Sequence, residues 1–200
     1  MEIRSGSEAP IHRATVFEMD GVTALVGPRV VVTGMPGSGK STFSRALSAK
    51  TGLPLIHLDF HYWGPNWTRP SQELWRLKQL DLLAGEVWIA DGNYYETLEL
   101  RLARATTVIV LDTPWWVCAT RSLVRGVRRP VGTVMPAGCE DSLGQRLRDE
   151  WWSSWVNWRD RRSQPERERA VISEYGRHAK VYLVDSKKSA KALIAAIEKR

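Results

Sequence analysis

Val30-Val31-Val32-Thr33 leads directly into Gly34-Met35-Pro36-Gly37-Ser38-Gly39-Lys40-Ser41, and this stretch decides the fold. The first four residues are β-branched, as expected of a strand that is buried on both faces of a sheet. The next eight fit the pattern G-x-x-x-x-G-K-[ST], and a helix is predicted from Ser41 to Lys50. A buried strand, a glycine-rich loop and a helix in this order predict an α/β fold with a phosphate-binding loop at its centre.

The loop predicts a site for ATP and Mg²⁺. Its glycines let backbone N–H groups turn towards phosphate oxygens, and the positive end of the helix dipole adds to the attraction. Lys40 is expected to reach the β and γ phosphates, and the Ser41 hydroxyl to ligate Mg²⁺. The alternative is an ordinary turn with a solvated lysine, which the flanking strand and helix make very unlikely. The residues predicted to hold the nucleotide are Gly34, Met35, Pro36, Gly37, Ser38, Gly39, Lys40, Ser41 and Thr42.

Strand and helix patterns alternate along the rest of the chain, which predicts a parallel sheet with right-handed crossovers. Further strands are predicted at 55–58, 87–90, 107–111 and 181–184, with helices over about 71–84, 114–127, 141–162, 164–175 and 189–199. Residues 1–28 are predicted to be an N-terminal extension with a hairpin at Asp20-Gly21. Residues 29–200 then form the domain that carries the phosphate loop.

Composition limits the class of protein. The chain has 200 residues and a formal charge of +7, which favours an anionic partner such as a nucleotide, a phosphorylated metabolite or nucleic acid. Two cysteines exclude a disulfide framework and a four-cysteine zinc site. The N-terminal residues lack the apolar core of a secretory signal, and no apolar run is long enough to span a bilayer. We therefore expect a cytoplasmic protein without a membrane partner.

Several segments resemble the adenylate-kinase-like P-loop proteins known as DNA topology modulation proteins. The resemblance covers roughly residues 30–197 and implies a nucleoside-monophosphate-kinase-like fold. In that fold a five-stranded parallel sheet is flanked by helices, the acceptor binds after the second strand, and a short arginine-rich lid covers the site. The resemblance thus implies that residues 29–200 form a P-loop kinase-like domain with a lid near residues 128–140. The segments that carry the resemblance are Gly34–Thr42, Leu58-Asp59, Tyr62-Trp63, Trp88–Tyr94, Leu100–Leu102, Val108–Asp112 and Gly138–Glu140.

For the metal, the resemblance implies that Asp91 lies beside the phosphate loop, where it can hold Mg²⁺ directly or through water. Asp91-Gly92 matches the Asp-Gly pair of adenylate kinases, but Asn93-Tyr94 replaces the Phe-Pro-Arg that follows there. The missing arginine puts AMP as an acceptor in doubt, and Arg101 is the predicted substitute. Asp112 is the rival magnesium residue, although its position before Thr113-Pro114 also suits a helix start.

For the acceptor, the resemblance implies that Asp59 orients or deprotonates a hydroxyl group. A polar residue at the end of a strand is an equally good interpretation. His57 and His61 alternate with Asp59, and two half-buried histidines are more plausible than a metal site. The residues predicted to line the acceptor site are Asp59, Trp63, Asn93, Tyr94 and Arg101.

Arginines at the start of the lid are predicted to neutralise charge on the phosphoryl group. Arg121 and Arg125 share one helix face, and their match to the lid favours this role over a solvated basic face. The resemblance also places Lys187 over the adenine of ATP.

Two groups of aromatic residues are predicted to have different roles. Tyr62, Trp63, Trp67 and Tyr94 are predicted either to stack on an acceptor ring or to form a hydrophobic cap. Trp151, Trp152, Trp155 and Trp158 have helical spacing and are predicted to pack in the core.

Together these features predict a phosphotransferase that moves the γ-phosphate of MgATP to a small acceptor such as a nucleoside or nucleotide. One alternative is a nucleotide-regulated protein that binds DNA or modulates its topology. It is not favoured because no nucleic-acid-binding motif is recognisable. Another is an ATPase without a small-molecule acceptor.

Overall fold

The central strand of the sheet carries the phosphate loop at its carboxyl end. In the computed structural model, which describes residues 11–13, 26–128, 139 and 142–197, six parallel strands run in the order β1-β6-β5-β2-β4-β3. The strands are β1 (Ile11–Arg13), β2 (Arg29–Gly34), β3 (Leu55–His57), β4 (Trp88–Asp91), β5 (Thr107–Leu111) and β6 (Lys180–Val184). The five predicted strands are confirmed, and β1 adds a sixth at the edge beside β6.

Eight α-helices connect and cover the described strands. They are α1 (Lys40–Thr51), α2 (Leu58–Tyr62), α3 (Gln72–Leu82), α4 (Leu98–Leu102), α5 (Trp115–Arg128), α6 (Leu143–Arg159), α7 (Ser163–Tyr175) and α8 (Lys187–Ala196). Two short 3-10 helices, Pro65–Trp67 and Tyr95–Thr97, precede α3 and α4. None of the helices in the described part of the chain is both long and apolar enough to cross a membrane.

The core has one layer on each face of the sheet, because successive side chains of a strand point to opposite sides. Val30 and Val32 of β2 pack with Phe43 and Leu47 of α1 on one face. Val31 packs on the other face, in a cluster that includes residues of α4 and α7. The triple-valine run is therefore buried on both sides, as the sequence predicts.

Two predicted features lie wholly or mostly outside the described residues. The Asp20-Gly21 hairpin of the N-terminal extension is one, and the lid near residues 128–140 is the other. At the lid's borders, Arg128 ends α5, and the Cys139 thiol donates to the Gly64 carbonyl over 3.3 Å.

The prediction for the second strand was one residue too long. Leu58 starts α2, and its fully buried side chain packs so closely on Gly92 that a Cβ there would lie 2.8 Å away. Asp59 consequently lies in the first turn of a short helix instead of at the end of a strand.

The leucine pattern of α3 does not mark its buried face. Leu74, Leu77 and Leu80 are half or more exposed, whereas Trp75 and Gln79 are buried. A spacing of four residues, which continues to the buried Leu83, follows the helix period better than a spacing of three. The inward positions are therefore Trp75, Gln79 and Leu83.

The prediction that the tryptophans of α6 pack in the core was also wrong for most of them. Trp151, Trp152 and Trp158 are all more than half exposed. Trp152 instead lies against Trp155 with ring centroids 5.0 Å apart, and Arg159 covers the Trp155 ring. These rings form a surface row along α6.

Candidate active site

The phosphate loop joins β2 to α1 through glycines in conformations that other residues adopt only with strain. Gly37 and Gly39 have φ values of 80° and 103°. A Cβ on Gly37 would also lie 2.4 Å from the Cys118 carbonyl oxygen of α5. Close packing against α5 therefore requires glycine at position 37, and Gly39 caps the start of α1.

Lys40 is folded back onto the loop from the first position of α1. Its Nζ donates to the carbonyl oxygens of Gly34 and Met35 over 2.9 and 3.0 Å. Burial lowers the pKa of Lys40, and the negative charges of Asp91, Asp59 and Glu168 oppose that effect. A cation surrounded by carboxylates at the mouth of a phosphate loop is positioned to meet phosphate oxygens.

Asp91 ends β4 directly beside β2, where it pairs with Val32, as the resemblance implies. Only 4% of the residue is exposed. Its Oδ2 lies 2.9 Å from His57 Nδ1 of β3, while the buried Oδ1 has no hydrogen-bond partner among the described residues. A buried carboxylate oxygen without a donor is suited to a cation or to a metal-bound water.

The residues present fit Mg²⁺ held together with phosphates. Ser41 carries its hydroxyl in the first turn of α1, beside the loop. No group of three or more His, Cys, Asp or Glu side chains arranged for a metal occurs in the described ranges. Mg²⁺ commonly takes only one or two protein ligands and completes its shell with water and substrate phosphates. Asp91 and Ser41 would form such a sparse set, and His57 and His61 are half-buried, as predicted.

Asp112, the rival magnesium residue, follows β5 on the other side of β2. Its side chain is 36% exposed and lies 3.3 Å from the guanidinium of Arg169 on α7. Its carboxylate therefore has a cationic partner, unlike the Oδ1 of Asp91.

On the acceptor side, Asp59 and Tyr94 are joined by a hydrogen bond. The Tyr94 hydroxyl donates to Asp59 Oδ1 over 2.8 Å. Burial, followed by the Asp59 charge, raises the pKa of Tyr94, so that the phenol stays protonated and keeps donating. This bond fixes the Asp59 carboxylate at the rim of an aromatic cluster.

The aromatic cluster consists of Tyr62, Trp63, Trp67, Trp75 and Tyr94. Tyr62 is at its centre, with Trp63, Trp75 and Tyr94 each within 5.0 Å of its ring centroid. Most of these contacts are edge-to-face, the favourable geometry for aromatic pairs. Both predicted roles, a stacking platform and a hydrophobic cap, are compatible with this cluster.

Arg101 is not on the cleft surface. It is 1% exposed, and its two terminal nitrogens donate to Gln79 Oε1 and to the Tyr94 carbonyl oxygen over 2.8 and 3.0 Å. Burial lowers the pKa of Arg101 to about 10, which still leaves it charged at neutral pH. The geometry makes Arg101 a support for the Tyr94 backbone and not a phosphate ligand.

Asn93 directly precedes Tyr94 in the loop after β4. It lines a cavity of about 240 Å³ with Tyr95 and with residues of α6 and α7. Gln164 of α7 donates to the Tyr95 hydroxyl at the wall of this cavity. The predicted acceptor residue Asn93 therefore lines a cavity beside α6 and α7.

The two lid arginines lie at different distances from the loop. Arg121 donates to the Ser38 carbonyl oxygen over 3.2 Å and lies near Gly39. Arg125, one turn later, forms a two-point ion pair with Glu150 of α6 over 2.6 and 2.8 Å. The Glu150 hydrogen bonds, and more weakly the Asp59 charge, raise the pKa of Arg125.

Lys187 begins α8 after β6 and is exposed. The helix is capped by a reciprocal pair of bonds between Ser186 and Ser189. The structure places Lys187 at the carboxyl edge of the sheet, the edge that also carries the phosphate loop.

Three polar residues near the loop were missed at the level of sequence. Glu168 of α7 is buried and accepts a 2.5 Å hydrogen bond from Thr33. Asn157 of α6 donates to the Pro36 carbonyl oxygen, and Glu150 holds Arg125. All three lie on helices far from the loop in sequence, and no local pattern separates them from solvated residues.

The known proteins that resemble this chain are solved structures, and the likeness concerns their folds. No family model and no curated protein matches the sequence. A shikimate kinase from Acinetobacter baumannii, solved with shikimate, is 19% identical with a TM-score of 0.49, over 89% of this chain and 92% of its own.

Two further solved structures are a deoxyadenosine kinase from M. mycoides and a gluconokinase from Sinorhizobium meliloti 1021. The first is 16% identical with a TM-score of 0.40, over 84% of this chain and 96% of its own. The second is 17% identical with a TM-score of 0.37, over 70% of this chain and 99% of its own. At these values the function has to be argued from the chain's own residues and from the α/β fold described above.

Proposed function

We propose that this chain is an ATP-dependent phosphotransferase that moves the γ-phosphoryl group of MgATP to a hydroxyl group of a small acceptor. The observation that carries the proposal is the position of Lys40. Its ammonium lies in a phosphate loop and within the electrostatic reach of two carboxylates, Asp91 and Asp59. One carboxylate suits the metal and the other suits the acceptor, so donor and acceptor would meet at Lys40.

On the donor side, the loop residues Gly34 to Thr42 bind the phosphates through backbone N–H groups and Lys40. Asp91 and Ser41 hold Mg²⁺. When bound, the metal neutralises charge that develops on the phosphates. Lys187 contacts the adenine.

On the acceptor side, Asp59 accepts the proton of the acceptor hydroxyl. The hydroxyl oxygen then forms a bond to the γ phosphorus, and the bond from that phosphorus to the β–γ bridging oxygen breaks, which releases ADP. Tyr94 keeps the Asp59 carboxylate in place by its 2.8 Å hydrogen bond. Trp63 lies beside this pair in the aromatic cluster.

Arg121 and Arg125 stabilise the charge of the phosphoryl group in transfer, which is the usual task of arginines in such sites. Arg121 is closer to the loop, through its bond to Ser38. Arg101 has no place in this mechanism because both of its terminal nitrogens are occupied in the interior.

Replacement of Lys40 tests the proposal. We expect Lys40→Ala to lower acceptor-stimulated ADP release by at least about 10²-fold, the scale of losing one transition-state donor. The melting temperature should not fall, because burial of the ammonium works against its charged form.

Lys191→Ala is the matched control, since it removes the same charge from an exposed position on α8. The assay measures ADP release with a panel of nucleosides, nucleotides and small alcohols. Full turnover by a folded Lys40→Ala protein would contradict the proposal. ATP hydrolysis that no acceptor stimulates would favour a simple ATPase instead.

A further inference from the structure

We infer that the acceptor is an uncharged hydroxyl compound, neither a phosphorylated nor a carboxylated one. The inference rests on the proposed function and concerns the same site. It follows from the described charges near the proposed acceptor site, where Asp59 is an exposed carboxylate and few cations are free to bind an anion.

Asp59 is the charge at the centre of this segment. It is exposed in the first turn of α2, and one of its oxygens accepts the Tyr94 hydroxyl. No described cation forms an ion pair with it at 4.0 Å or less; the ion pairs join other residues. A carboxylate attracts a hydroxyl hydrogen and repels a phosphate or a second carboxylate, so it selects against anionic acceptors.

The cations between β3 and β5 are mostly occupied elsewhere. Arg76 pairs with Glu99 over 2.6 Å, and Arg104 pairs with Glu86. Lys78 donates to the His61 carbonyl oxygen. Burial, followed by the charges of Lys78 and His57, lowers the pKa of His61, so that its ring is neutral at neutral pH.

Arg101 would be the natural ligand for an acceptor phosphate in this segment, and it is buried under Tyr94 with Gln79. Gln79 also donates to Thr97 over 2.6 Å, which ties the arginine into a closed network. To reach an acceptor, Arg101 would have to leave two hydrogen bonds and the interior.

Cations on the other side of the cleft are used as well. Lys40 and Arg121 lie on the phosphate loop, where ATP takes their charge. Asp59 has only a weak electrostatic effect on the pKa of Arg125, and Glu150 balances the Arg125 charge through two short hydrogen bonds. The donor therefore uses the positive charge of the site, and the acceptor meets Asp59.

Arg69 is the exception. It is exposed, and its guanidinium lies 5.3 Å from the Trp63 ring centroid with no carboxylate partner among the described residues. It is the one cation of the segment that an anionic acceptor could use, and it supplies the matched control.

The test compares pairs of acceptors in which one member carries an anionic group and both members keep free hydroxyl groups. D-sorbitol is paired with D-gluconate, adenosine with AMP, and thymidine with TMP, and kcat/KM is measured for each with MgATP. We expect the uncharged member of at least one pair to be turned over, with kcat/KM at least about 10-fold higher than its anionic counterpart. Arg69→Gln should leave this ratio within about threefold, whereas Asp59→Asn should reduce it, because the repelling charge is gone.

The outcomes separate this inference from the proposed function. Preference for the anionic members, or equal use of both, overturns the inference and leaves the phosphotransferase intact. An anionic preference that disappears in Arg69→Gln would assign the phosphate or carboxylate to Arg69. If no acceptor of either kind stimulates Lys40-dependent ATP hydrolysis, the inference and the proposed function both fail.

Discussion

Asp91 ends β4 and Asp112 follows β5, on opposite sides of β2, and the surroundings of the two carboxylates differ. Asp91 is buried with one unpartnered oxygen, whereas Asp112 is partly exposed and paired with Arg169. A metal ligand needs a free lone pair that faces the nucleotide. The difference favours Asp91 over Asp112 as the magnesium ligand. The sequence around the two residues could not decide between them.

We expect Asp91→Asn to lower turnover by at least about 10²-fold, because it removes the charge that Mg²⁺ would meet. Asp112→Asn is the matched isosteric control and should change turnover by less than about threefold. Initial rates measured across a Mg²⁺ series should show a raised metal requirement for Asp91→Asn alone. Greater damage from Asp112→Asn would reverse the assignment.

At the scale of single residues, the motif placed the phosphate loop correctly because its chemistry is local: eight consecutive residues form it. The role of Arg101 could not be predicted in the same way. Its burial depends on Gln79, which is 22 residues away and lies on another helix. Sequence patterns can show that an arginine lies near a site. They do not show that a partner distant in sequence, such as Gln79, holds the side chain in the interior.

Whole strands and helices were predicted well where the residue types suit the burial that the fold imposes on them. β5 has its predicted bounds, and its five residues are all buried and mostly β-branched. α3 was placed correctly, but its leucines do not indicate its inward face, since they occupy exposed positions and a glutamine is buried. The buried glutamine is explained by the network with Thr97 and Arg101, which exists only in the folded chain.

Glu168 of α7 places a buried carboxyl group beside Thr33, near the end of β2. This group makes the stability of the fold depend on pH. Burial raises the pKa of Glu168 more than the Thr33 hydrogen bond and the Lys40 charge lower it. A carboxyl whose folded pKa exceeds the unfolded value favours folding at low pH, and this contribution is lost as the pH rises through the folded pKa. We therefore expect Glu168→Gln to raise the melting temperature at pH 8 and to leave it nearly unchanged at pH 4.

Glu166→Gln is the control for this prediction, because Glu166 is exposed on the same helix. Thermal unfolding followed by circular dichroism at both pH values provides the measurement. A lower melting temperature of Glu168→Gln at pH 8 would mean that the attraction between Glu168 and Lys40 outweighs the cost of burial.

α5 and α6 are joined by the Arg125–Glu150 pair, in which Glu150 is 7% exposed. We expect Glu150 to position Arg125 for the phosphoryl group. Glu150→Gln should then lower kcat by about 10-fold or more with little change in KM for ATP, on the scale of a partly lost donor. In an Arg125→Ala background the same substitution should have no further effect on kcat.

The double-mutant comparison separates this positioning role from a structural one. A purely structural Glu150 would lower the melting temperature and would reduce kcat equally in both backgrounds. Equal losses of kcat in the presence and absence of Arg125 would therefore contradict the prediction.

At the scale of the whole molecule, much of the positive charge is balanced internally. The formal charge is +7, and this excess is what an interaction with nucleic acid would use. Many described arginines form ion pairs with carboxylates on the same chain. These arginines are Arg29, Arg76, Arg104, Arg125, Arg159 and Arg169.

We consequently expect only weak and sequence-independent binding to DNA. If solvated cations contact about six phosphates, the affinity for DNA should fall on the order of 10³-fold between 50 and 200 mM salt, because counterion release drives such binding. Fluorescence anisotropy with two unrelated duplexes at both salt concentrations measures this. Affinity that distinguishes the duplexes and persists at 200 mM would require base contacts, which electrostatic attraction alone does not supply. That result would favour a nucleotide-regulated DNA-binding protein, and the Lys40→Ala variant would then show whether nucleotide binding controls the interaction.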